Sequence, residues 1–144
     1  MHLVFLRVAL ALYSIGLVHS VVTVLSRKYT LFRASLVAVI AGFVCHVVAI
    51  VVRASELNYM PLTQRYESFS FFAAVAVLGY LVAYARYRIV SLSVFVFPVV
   101  FLLTFIANIA YDPSSVIPPA IRSNWIYIHT PLIFMGYAAL SISF

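Results

Sequence analysis

The sequence predicts an all-α fold, a polytopic bundle of transmembrane helices. Of 144 residues, 66% are hydrophobic and only 8% are charged, and the mean hydropathy is +1.16. Soluble domains are about 25% charged, and such a low charge content on a short chain excludes a water-soluble globular enzyme. The long apolar runs lack the alternation of barrel strands. Helices are therefore the expected element, because every backbone group must find a hydrogen bond in lipid.

Five apolar runs predict five spans within a single membrane domain, residues 1–144. A span needs roughly 20 apolar residues, and the runs cover residues 3–26, 31–52, 68–85, 89–110 and 125–144. The first run is longer than the apolar region of a signal peptide and lacks a cleavage site after it, which favours a span. The last run ends without a charged flank, so we expect the native chain to continue past Phe144.

The positions of the basic residues predict the orientation of the bundle. The formal net charge is +6, and the cations nearest one another lie in or beside the short gaps that follow the first and third runs: Arg27, Lys28, Arg33, Arg86 and Arg88. By the positive-inside rule these gaps are cytoplasmic, and the amino terminus and the two longer gaps lie outside. Cations placed in this way indicate topology in a lipid bilayer, and no nucleic-acid partner is expected.

Small residues in the first two runs predict close helix contacts, because small side chains let helices approach in lipid. Gly16 and Gly42 are the smallest of them. The usual motifs of hydrolases and nucleotide-binding enzymes are missing from the sequence, and Cys45 is the only cysteine. Packing explains the small residues, and the candidate site must be sought among the histidines and the outer gaps.

Histidine within or beside a span is a functional candidate, because an ionisable group in the membrane is costly. His46 either hydrogen-bonds to a neighbouring helix or serves as a ligand, whereas terminal His2 is expected to fray. His129 follows Trp125 at the outer end of the fifth span, and Pro131 is expected in the first turn of that helix. The partial positive charge of a helix start favours neutral imidazole, the form that binds metals. A water-capped interfacial histidine is the alternative.

The gap after the second span carries charged residues at the lip of the third. Glu67 lies there with Arg65 before it, and Pro61 stiffens the approach. These two residues are either solvated interface anchors or a rim that holds a partner protein or a propionate.

Two segments resemble the CcsA/ResC family of cytochrome c assembly proteins, which includes HemX-like and YpjD-like relatives. The segment 61–68, Pro-Leu-Thr-Gln-Arg-Tyr-Glu-Ser, is similar to the family's Pro-Leu-[ST]-Asn-x-Tyr-Glu-Ser, with Gln64 in place of asparagine. The segment 123–140 is similar to its Ser-x-Trp-x-x-x-His and Gly-Tyr-Ala-Ala motifs, and the segment 42–49 is a softer match. The resemblance is to the amino-terminal portion of the family.

The resemblance implies a membrane component of cytochrome c biogenesis that binds or presents haem for attachment to apocytochrome c outside. His129 then matches an axial ligand of the haem iron, with Trp125 and His46 as further cofactor-binding residues and Glu67 and Arg65 as the rim. The family's second outer histidine and tryptophan-rich segment follow position 144, so this stretch supplies one ligand and a platform, not a complete catalytic site.

The resemblance also implies a partner of the ResB/CcsB type and a bacterial cytoplasmic or plastid thylakoid membrane. A HemX/YpjD-like scaffold without synthase activity is the first alternative. A small-solute transporter is the second, and it predicts a polar path through the bundle, of which only scattered Ser, Thr and Asn are present.

Overall fold

The protein is helical throughout the part of the chain that the computed structural model describes, residues 1–26, 32–58, 60–112 and 124–142. The helices are α1 (His2–Ser26), α2 (Phe32–Leu57), α3 (Arg65–Tyr87), α4 (Ser93–Ile109) and α5 (Asn124–Ile142). No strand occurs in these ranges. The predicted fold class is therefore confirmed, and each of these helices overlaps one of the predicted apolar runs.

Three helices, α1, α2 and α3, are long and apolar enough to cross a membrane by length and composition. The apolar helix α4 has 17 residues and is shorter, as is the apolar stretch of α5, Trp125–Leu140. The protein is an integral membrane protein. Both α2 and α3 extend past their predicted spans at the end that carries Glu56 and Glu67, so polar side chains there are part of helices rather than of a loop.

Helices α1 and α2 pack closely at Gly16 and Gly42, the two glycines predicted to lie in helix contacts. A Cβ atom at Gly16 would lie 2.5 Å from Cγ2 of Val39, and one at Gly42 would lie 2.8 Å from the Tyr13 ring. The buried Ser35 hydroxyl donates to the Gly16 carbonyl across this contact at 2.6 Å. Hydrophobicity alone gives helices in lipid no drive to associate, so close packing and such hydrogen bonds hold this pair.

Helices α3 and α4 pack against this pair and complete the core. Tyr80 of α3 meets Phe97 of α4 edge to face, with ring centroids 4.8 Å apart, and both side chains are buried. The buried hydroxyls of Ser20 and Ser93 hydrogen-bond and tie α1 to α4. Helices α1, α3 and α4 are thus held together by contacts away from the outer end of the bundle.

Helix α5 lies along α3. Phe134 stacks on Phe72 with centroids 5.2 Å apart, and further along the two helices Ala138 and Ala83 line one groove. The two helices therefore run parallel. The first turns of α1, α3 and α5 and the last turns of α2 and α4 lie at one end of the bundle, which we call the outer end after its predicted orientation.

Candidate functional site

Glu67 is held by the segment that leads into α3. Its Oε2 atom accepts hydrogen bonds from the backbone N–H groups of Thr63 at 3.1 Å and Gln64 at 3.0 Å. Gln64 is the N-cap, and Glu67 is the third residue of the helix. A carboxylate at this position satisfies backbone donors that a helix start leaves without partners. The segment that carries the family resemblance is thus a helix cap built around one carboxylate.

The cationic partner of Glu67 is Arg53 of α2, not Arg65. Arg53 donates from Nε to Oε1 of Glu67 at 3.2 Å, and its guanidinium lies over the Tyr66 ring, 5.5 Å from the centroid. Glu67 is 2% exposed, whereas Arg65 is exposed. The interpretation of Glu67 as a solvated anchor is therefore wrong. Arg53 was missed because contact between the end of α2 and the start of α3 is a tertiary feature.

The amino terminus folds into the same end of the bundle. The Nδ1 atom of His2 lies 2.7 Å from Oε2 of Glu56, and the α-amino group of Met1 lies 3.5 Å from Oε1. The His2 ring contacts the rings of Tyr66 and Tyr111, with centroids 6.2 and 5.6 Å away. The expectation that His2 frays is wrong, because its contact with Glu56 and its ring contacts bury the side chain.

His46 hydrogen-bonds to two neighbouring helices. Its Nδ1 atom lies 3.3 Å from the Tyr13 hydroxyl of α1, and its Nε2 atom lies 2.8 Å from Oγ of Ser70 in α3. The ring is fully buried. Both nitrogens are occupied, which matches the predicted alternative of a hydrogen bond to a neighbouring helix. A ligand role stays a prediction and requires one of these partners to be displaced.

His129 and Trp125 form an exposed aromatic pair on the first turns of α5. Their rings stack with centroids 5.6 Å apart and an interplanar angle of 18°. Trp125 is 65% exposed, and His129 is exposed as well. Among the described residues no hydrogen bond occupies either nitrogen of the His129 ring. The imidazole is supported on one face by the indole and is free to bind from outside.

The start of α5 differs from its prediction. The helix begins at Asn124, so Pro131 lies inside it rather than in its first turn. Residues 125–130 continue the helix ahead of the proline. His129 thus stands in the second turn, where the partial charge of the helix start is weaker than at its first residues.

The face of α5 below His129 is open. A Cβ atom at Gly136, seven residues further along the helix, would meet no atom within 4 Å. On a different side of α5, α3 and α5 line an apolar groove of about 720 Å³, whose lining includes Phe71, Pro131 and Met135. The open surface at Gly136 therefore lies on the same side of α5 as the exposed imidazole, and the groove does not.

Proteins of similar sequence align with most of the length of this chain. A cytochrome c biogenesis protein CcsA from Crocosphaera subtropica is 32% identical over 91 residues, 60% of this chain and 27% of that protein. Proteins of the same name from Daucus carota and Manihot esculenta are 27% and 26% identical over 85% and 93% of this chain. The chain fits part of a CcsA-type protein.

This chain aligns with only part of the length of each CcsA protein. The chain spans 27%, 39% and 43% of the length of these three proteins. No protein-family model and no solved structure matches the chain. The similarity to CcsA proteins therefore concerns one portion of them. The geometry at the outer end is independent of that similarity.

Proposed function

We propose that this chain is the part of a CcsA-type cytochrome c biogenesis protein that offers an axial imidazole to haem at the outer end of the bundle. The observation that carries the proposal is His129 itself, which is exposed, unbonded at both ring nitrogens among the described residues, and stacked on Trp125. The names of the CcsA relatives indicate the process, which is cytochrome c biogenesis.

The residues present fit haem. Neutral imidazole is a common axial ligand of haem iron, and the open face at Gly136, on the same side of α5 as His129, leaves space for the macrocycle. Haem, when bound, supplies the group that is attached to apocytochrome c. His129 would hold the iron, and Trp125 would fix the plane of the imidazole by the stacking seen between the two rings.

The charged residues of the outer end take separate roles in this proposal. Arg65 is exposed on the first turn of α3 and suits a propionate or an acidic patch of a partner protein, with apocytochrome c and a ResB/CcsB-type protein as the proposed partners. Glu67 is a positioning residue, since it is buried and holds the backbone that presents Arg65. His46 has no part in haem binding in this proposal, because both its nitrogens are bonded within the bundle.

The test is haem content in the native protein that contains this chain. His129→Ala is expected to lower co-purified haem about tenfold or more, since even residues that only support a metal ligand cost 10–100-fold when removed. His19→Ala is the matched control, because among the described residues the His19 ring hydrogen-bonds to the Ile15 carbonyl of its own helix, at 2.9 Å, and to no other helix. Haem content and an absorption spectrum unchanged by His129→Ala contradict the proposal.

A further inference from the structure

A small cavity lies between α1, α2 and α3 at the outer end, separate from the His129 face. Its volume is about 20 Å³, counted as space open to the centre of a water molecule. Its lining residues that carry polar side-chain atoms are His2, Arg53, Tyr66, Glu67 and Ser70, and Leu6, Ala49, Ile50 and Pro61 complete it. About 10–15 Å³ of such space accommodates one water. The cavity is therefore the size of one water molecule.

A buried nitrogen without a partner borders this cavity. The Nε2 atom of His2 is buried and has no hydrogen-bond partner among the described residues, and the whole residue is 6% exposed. Its Nδ1 atom, 2.7 Å from Glu56, is the donor to that carboxylate. Nε2 of the neutral ring is then an acceptor that lacks a donor, which costs about 1–3 kcal/mol unless something fills the cavity.

The hydrogen bonds of His46 leave a donor on the other side of the cavity. Tyr13 is 1% exposed, and its hydroxyl has the His46 ring as acceptor at 3.3 Å. If Tyr13 donates to Nδ1, then Nε2 carries the proton and donates to Ser70. The opposite tautomer leaves the buried Tyr13 hydroxyl hydrogen without an acceptor. With the first tautomer, the Ser70 hydroxyl hydrogen is free to point into the cavity.

We propose that one buried water occupies this cavity and joins the hydrogen bonds of His46 to those of His2. The water accepts from Ser70 and donates to Nε2 of His2 and to the Glu67 carboxylate, whose Oε1 otherwise accepts from Arg53. Three hydrogen bonds are typical of a buried water. The completed chain runs from Tyr13 through His46, Ser70, the water and His2 to Glu56, and each hydroxyl or ring N–H in it donates once, toward the outer end.

Charge and volume select water over other occupants. Arg53 and Glu67 both line the cavity and form an ion pair, so their charges offset and favour neither a cation nor an anion there. The described residues also contain no group of three His, Cys, Asp or Glu side chains that could hold a metal. The volume excludes anything much larger than water. Through this chain of hydrogen bonds, the water connects His46 of α2 to His2 at the start of α1.

The test is magic-angle-spinning NMR of the ¹⁵N-histidine, ¹³C-labelled native protein in bilayers. Two results are expected from the unmodified protein: the His46 ring carries its proton on Nε2, and water magnetisation transfers to the buried His2 ring well above the level at Val39, a dry core side chain. An Nδ1–H tautomer at His46, or transfer to His2 no higher than to Val39, overturns the proposal.

A cavity-filling variant separates this water from surface water. Ala49→Val adds two methyl groups at a buried lining residue and leaves every polar group of the chain in place. It is expected to abolish the water transfer to His2, whereas Ala34→Val, the same change at an exposed site of α2, leaves it unchanged. Transfer to His2 that persists in Ala49→Val shows that the water comes from the surface and also overturns the proposal.

Discussion

The charged residues of the outer end show how burial changes the role of a side chain. Glu67 and Glu56 both pair with Arg53, at 3.2 and 3.7 Å. The Glu67 side chain is fully buried, whereas that of Glu56 is 36% exposed. A buried carboxylate loses its hydration and depends on its partners, while a partly exposed one exchanges them for water. The two acids on one arginine therefore differ in what they contribute to stability.

Glu67→Gln is expected to lower the free energy of unfolding by about 1–3 kcal/mol. Glutamine keeps one oxygen as an acceptor for the backbone donors of Thr63 and Gln64 but leaves Arg53 with only the partly exposed Glu56 as a counter-charge. Denaturant unfolding in detergent measures the change. Glu56→Gln is the control, with an expected loss of under about 1 kcal/mol, in the range of exposed ion pairs. Equal losses for the two variants contradict the distinction between these carboxylates.

At the scale of helices, the glycines differ in what surrounds them. Gly16 and Gly42 lie in the α1–α2 contact, whereas Gly136 lies on the open face of α5. The site beside Gly42 is confined by the buried Tyr13 ring and by Cβ of Leu12 at 3.2 Å. The same residue type thus serves packing in one helix pair and leaves a surface open in α5.

Gly42→Ala is expected to destabilise the protein by about 1–3 kcal/mol, the usual cost of overpacking. The added methyl group pushes the Tyr13 ring and weakens its hydrogen bond to His46. Gly136→Ala is the matched control and is expected to be neutral or stabilising by up to about 1 kcal/mol, because alanine favours helix and nothing stands in its way. Thermal unfolding of both variants measures the difference. If Gly42→Ala is as stable as the unmodified protein, the prediction is wrong, and α1 and α2 accommodate the added methyl group by moving apart at little cost.

At the scale of the whole molecule, the helix order brings distant parts of the chain to one end. The first residues of α1, the last turn of α2, the first turn of α3 and Tyr111 after α4 meet around the ring of Tyr66. Because His129 stands on the second turn of α5, which runs parallel to α3, it belongs to this end too. The predicted orientation makes this the extracytoplasmic end.

Cysteine labelling tests the orientation of the molecule. In a Cys45→Ala background, a cysteine in place of exposed Met60 at the outer end is expected to react with a membrane-impermeant maleimide on intact cells. A cysteine in place of exposed Arg86, at the opposite end of α3, is expected to react only after permeabilisation. The reverse pattern means that the amino terminus and His129 face the cytoplasm, and it contradicts the proposed site of haem binding.

The sequence by itself determined the membrane class, the five helices of the described ranges and the use of Gly16 and Gly42 in helix contacts. These depend on the length, hydropathy and spacing of residues near one another in the chain, and lipid leaves the backbone no alternative to helix. The resemblance to CcsA-type proteins was also readable, since Glu67 and His129 stand in short contiguous motifs.

Only the tertiary structure decided which partners those residues have. Arg53 stands 14 residues before Glu67, and His46 bonds to residues of two other helices. The burial of His2 depends on rings contributed by α3 and by the chain after α4. Hydropathy reports only how a residue partitions between water and lipid. It carries no information on which helix faces which, and that choice follows from side-chain packing across the whole bundle.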